Sequence, residues 1–69
     1  MRLTKTQMVI LDHIHTGGHI WYAGDYPYLA IVGDDGRVRS EPVRRSVVDC
    51  LKGLGLITRV EGENRWVTA

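Results

Sequence analysis

The residues of this chain best suited to chemistry are cations. Arg44, Arg45 and Lys52 lie on a stretch with helical spacing, and Arg59, Asn64 and Arg65 surround the polar turn that follows it. An arginine on a helix can bond guanine O6 and N7 in pairs, while lysine and small hydroxyls hold phosphates. Ser40 and Ser46 fall near the expected start of that helix, where the helix dipole also favours an anion. Charge is distributed to match. No Lys or Arg occurs between Thr6 and Gly36, where Asp12, Asp25, Asp34 and Asp35 are found. From Arg37 onward seven basic residues, including Arg37 and Arg39, stand against four acidic ones, Glu41, Asp49, Glu61 and Glu63. That polarity suits an anion-facing surface. The formal net charge of only +1 argues weakly against strong non-specific binding.

Other constellations carry less. His13 and His15, two apart on a helix, point in different directions and cannot easily share a metal, and no paired cysteine supports them. No metal and no cofactor is expected. Asp34-Asp35 ahead of Gly36 is ordinary turn chemistry. Nothing resembles a nucleophile elbow or a phosphate-binding glycine loop, so the chain is not expected to be an enzyme. Trp21, Tyr22, Tyr26 and Tyr28 cluster within eight residues. They suit either the completion of a small core or, if exposed, the anchoring of a protein partner.

The elements that must position these groups follow from the patterning. Thr4 and Gln7 form a Thr-x-x-Gln capping box for a helix running to about His15, with Gly17 and Gly18 as its stop. Leu3, Ile10, Leu11 and Ile14 share its core face, with Met8 at the edge and Val9 pointing away. An exposed Val9 could serve a dimer contact. His19–Ala23 and Tyr28–Val32 read as strands separated by a Gly24–Pro27 break, and the Gly33–Gly36 turn leads to Arg37-Val38-Arg39. This is a meander of two strands or three. Ser40 or Glu41 before Pro42 suits a helix start. The second helix is expected over Val43–Leu54, with Val43, Val47, Cys50, Leu51 and Leu54 on its apolar face. Arg45, Asp49 and Lys52 are then opposite, and Arg45 and Asp49 are spaced to pair. Cys50, the single cysteine, is expected as a small buried hydrophobe. Strands at Ile57–Val60 and Arg65–Thr68 flank the turn Glu61–Asn64. Arg59 and Arg65 could pair with acidic neighbours across those strands, and Trp66 is expected on the core.

The 27 residues from Val43 to Ala69, VRRSVVDCLKGLGLITRVEGENRWVTA, resemble the second half of a winged helix-turn-helix domain. The likeness rests on a helix, a Leu-x-x-x-Gly-Leu-Ile stop and a strand–turn–strand unit. It implies an α+β fold: an N-terminal helix, a β-hairpin or meander, a recognition-type helix and a C-terminal hairpin wing, in a single domain over residues 1–69. It further implies a phage or bacterial regulator or accessory factor that grips double-stranded DNA. The contacts would come from Arg37, Arg39, Ser40, Arg44, Arg45, Ser46, Lys52, Arg59, Asn64 and Arg65, in a homodimer on a two-fold site. The chain departs from that family before the helix, where strand sequence replaces the family's second helix. The acidic Glu61 and Glu63 also depart from a basic wing tip. A protein-binding module on the same scaffold, such as a phage inhibitor of a host protein, is the competing expectation. The N-terminal stretch shows no signal-like apolar run and no segment long enough to span a membrane, so a cytoplasmic protein is expected.

Overall fold

The computed structural model describes residues 3–69; Met1 and Arg2, part of the N-terminal stretch read above for a leader, lie outside the described residues. The chain runs α1 (Lys5–His15), β1 (His19–Ala23), β2 (Tyr26–Val32), β3 (Val38–Pro42), α2 (Arg45–Gly53), β4 (Ile57–Arg59) and β5 (Trp66–Thr68). The strands form one antiparallel sheet in the order β3-β2-β1-β5-β4. This is a small α+β fold with two helices on one face of the sheet. No helix among the described residues is long and apolar enough to cross a membrane.

The first helix starts as its sequence dictates. Thr4 N–H donates to Gln7 Oε1 at 2.8 Å and Gln7 N–H donates to Thr4 Oγ1 at 3.2 Å, so two amides that a helix start leaves orphaned are satisfied. Thr4→Ala should therefore lower stability by about 1 kcal/mol. A urea midpoint identical to that of the parent chain would show that the box contributes nothing. At the other end, Gly17 N–H bonds Ile14 C=O and Gly18 N–H bonds His13 C=O, which closes α1 and turns the chain into β1.

Strand pairing sorts the side chains into two faces. Ile20, Leu29, Ile31 and Ile57 point toward the helices and join Ile10, Ile14, Val48 and Leu51 in the core. Burying these aliphatic groups is the main stabilising term of the fold. Trp21, Tyr26, Tyr28, Val38 and Ser40 lie on the opposite face, which no helix covers.

Several boundaries differ from expectation, each for a local reason. The Gly24–Pro27 break is only a two-residue turn at Gly24-Asp25, so β2 begins at Tyr26 and Pro27 is buried within it. The meander has three strands, and β3 extends to Pro42, which belongs to a strand and not to a helix start. Proline is tolerated there because β3 is an edge strand. The helix accordingly starts at Arg45 with Arg44 as its cap, and Val43 lies outside it. Val43 and Val47 pack against the core as expected, Val43 from outside the helix. The buried positions are Val48 and Leu51, and the face is rotated toward Val48. Cys50 is consequently exposed, with its sulfur accepting a 3.0 Å bond from Gln7 Nε2 of α1. At the far end Gly55, with φ +71°, takes the left-handed conformation that ends the helix, while Leu56 N–H bonds Leu51 C=O.

Candidate nucleic-acid interface

The sheet has two ends, and its antiparallel order decides what each presents. Strands β1, β3 and β4 finish at one end, where β2 and β5 begin. That end therefore gathers the Gly24-Asp25 turn, the Val43–Arg44 entry to α2 and the loop of residues 60–65. Six of the ten expected contact residues arrive there: Arg44, Arg45, Ser46, Arg59, Asn64 and Arg65. Two bonds tie the parts together. Arg45 Nη2 donates to Asp25 C=O at 3.0 Å, and Asn64 Nδ2 donates to Tyr22 C=O at 2.7 Å.

The electrostatics of this end depend on what each arginine bonds. Among the described residues the Arg45 and Arg59 guanidiniums bond only backbone carbonyls, Arg59 Nε donating to Glu63 C=O at 3.0 Å, and no carboxylate there neutralises their charges. A guanidinium has five N–H donors, which leaves several for a ligand. Arg65 is different. Its Nη2 lies 2.7 Å from Glu63 Oε2, a pair formed within the loop and not across the strands. The Arg44 side chain is exposed and makes no hydrogen bond or ion pair among the described residues, while its carbonyl accepts from Val47 N–H and Val48 N–H of the first turn. As the cap of α2 it supplies no side-chain bond to the first turn, so the helix start offers amides as well as positive charge. Asp25, Glu61 and Glu63 share the same end and moderate its field. Arg45 does not pair with Asp49, because the Asp25 carbonyl takes its guanidinium instead.

The other expected contacts lie elsewhere. Arg37 sits at the opposite end of the sheet, paired with Asp35 at 3.5 Å. Arg39 is on edge strand β3, 3.6 Å from Glu41. Ser40, on the uncovered face, accepts a 3.2 Å bond from Trp21 Nε1. Lys52 is turned inward. Its ammonium lies 4.6 Å from the Tyr22 ring centre and 4.2 Å from that of Trp66, and it donates to the Tyr22 hydroxyl. Rotation of α2 toward Val48 carries Lys52, four residues on, to the edge of the core. Trp66 is half-buried against that core.

The uncovered face holds three of the four aromatic residues that cluster in the sequence, Trp21, Tyr26 and Tyr28, while Tyr22 packs against the core. Trp21 and Tyr28, directly opposite across β1 and β2, stack at 5.0 Å, and Tyr26 tilts against Tyr28 at 5.5 Å. Strand alternation was the available signal, since it separates Tyr22 from these three. His19 lies on this face too. Its imidazole pKa is lowered from the ordinary value by burial and then by Arg65, with Glu63 opposing. No family model, curated protein or solved structure matches the chain.

Proposed function

We propose that this chain is a small winged-helix-like DNA-binding protein acting as a transcriptional regulator or accessory factor. In this reading α2 is the recognition-type helix, the β4–β5 hairpin is the wing, and the three-stranded meander stands where the second helix would be. One observation carries it: the start of α2 and the 60–65 loop reach the same end of the sheet, bringing Arg44, Arg45 and Arg59 there without carboxylate partners among the described residues. Arg44, Arg45 and Ser46 would enter the major groove or grip its edges, and Arg59 and Asn64 would rest on the backbone. The test is anisotropy of a labelled random duplex titrated at low and physiological salt, with the parent chain and an Arg44→Ala/Arg45→Ala variant. Removing two phosphate contacts should weaken low-salt binding about tenfold or more and flatten the salt slope by about two. A parent chain that fails to bind at low salt would refute the reading.

The stacked Trp21–Tyr28 pair with Tyr26 favours a second reading, a protein-binding module. Rigid aromatics on an uncovered face are the residues that anchor protein partners. That reading takes over if the duplex is not bound.

A further inference from the structure

The edge strand β3 leaves its outer side unpaired among the described residues. All five of its residues are exposed, and among the structural elements it touches only β2. The direction of its free hydrogen-bonding groups follows from two bonds at its ends: Gly33 N–H donates to Arg37 C=O at 2.8 Å, and Val43 N–H donates to Pro27 C=O at 3.2 Å. With the register Leu29–Glu41 and Ile31–Arg39, both bonds fall in one phase of the antiparallel ladder. Residues 39 and 41 therefore turn their backbone groups toward β2. Val38, Ser40 and Pro42 turn theirs outward.

We infer that β3 is a homodimer interface in which two copies pair antiparallel about a two-fold axis at Ser40. In that register Ser40 faces Ser40 of the second copy, and each donates its N–H to the other's carbonyl. Val38 faces Pro42, whose missing N–H costs one bond of the pair while its carbonyl still accepts from Val38. Arg39 faces Glu41 of the second copy in the close, non-hydrogen-bonded type of pair, where side chains approach most nearly. The two-fold repeats this contact, so two charge pairs form. Within one chain Arg39 and Glu41 are 3.6 Å apart and strongly exposed, which leaves both accessible to exchange partners.

Charge also selects the register. A slip of one residue would oppose outward-turned groups to groups already committed to β2. A slip of two in either direction keeps the ladder in phase but sets Arg39 against Arg39 or Glu41 against Glu41, and like charges directly opposite are destabilising. Only the register centred on Ser40 satisfies both backbone and charge. The same alternation discourages pairing with strands that do not match it, which is how an open edge is kept from indiscriminate association. The other edge, β4, has only three residues and offers no comparable ladder.

Sedimentation equilibrium on the full chain tests this with Arg39→Glu, Glu41→Arg and their equimolar mixture. The parent chain should dimerise, and each single reversal should weaken dimerisation about tenfold or more. The mixture should regain most of the loss, because the two glutamates on β3 of one variant then face the two arginines on β3 of the other. Exchange of the Ser40 amide in the parent chain is a readout that needs no variant: it should slow as protein concentration rises. A parent chain monomeric up to about 1 mM, reversals that leave the affinity unchanged, a mixture no tighter than its components, or a Ser40 amide indifferent to concentration would each overturn the assignment.

Discussion

Gly18→Ala should destabilise the protein by about 3 kcal/mol, the upper part of the range for forcing atoms into a packed site. A Cβ at this position would lie 2.3 Å from the Ala30 carbonyl oxygen and 2.7 Å from that of His13. Both obstacles are backbone. Neither can swing aside as a side-chain end would, and relief must come from moving α1 away from β2. The Gly18 N–H bond to His13 C=O would be strained by the same movement. For a domain of this size the loss corresponds to a melting temperature lower by about 15 °C, out of a total stability on the order of 5 kcal/mol. Gly53→Ala is the matched control. Nothing lies within 4 Å of a Cβ built there, and the residue is helical, so alanine should be neutral or slightly stabilising. Thermal unfolding followed by circular dichroism distinguishes the two. A Gly18→Ala melting point within a few degrees of the parent would show that the helix–strand junction is not the tight contact described.

What the sequence disclosed depended on whether the signal was local. The capping box at Thr4 and Gln7, the glycine stop at Gly17-Gly18 and the Leu-Gly-Leu-Ile exit from α2 are set within a few residues, and all were legible. The three-stranded meander was legible in outline, because turn residues and β-branched runs alternate there. Pro42 was misleading. Proline suits both a first helical turn and an edge strand, and only the place of β3 at the rim of the sheet decides between them. The buried face of α2 is centred on Val48 and Leu51, which leaves Cys50 exposed and Lys52 at the edge of the core. The convergence of Arg44, Arg45 and Arg59 at one end is a product of strand order, which no spacing in the chain records. Three of the ten expected contacts, Arg37, Arg39 and Ser40, are placed apart from that end for the same reason, and Lys52 is drawn away by the orientation of α2.

Lys52→Ala should cost about 2 kcal/mol of stability, more than a solvated helical lysine would. The ammonium lies over two rings, at 4.6 Å from Tyr22 and 4.2 Å from Trp66, and it donates to the Tyr22 hydroxyl. Those contacts join α2 to β1 and β5, and the lysine stem packs alongside them. Lys52→Met keeps the stem and removes the charge, so it should cost about half as much, leaving the cation–π share as the difference from the parent. On the DNA side the two classes of cation separate. With its charge held against the rings, Lys52 should matter little to duplex affinity when binding is measured well below the melting temperature. The Arg44→Ala/Arg45→Ala variant should show the reverse, weak binding with little loss of stability, since exposed side chains away from packed features rarely cost more than about 0.5 kcal/mol. A Lys52→Ala variant that melts with the parent yet loses the duplex would place the ammonium on the outer surface of α2 after all, and the aromatic sandwich would have to be abandoned. Paired melting and anisotropy curves on the same preparations decide it.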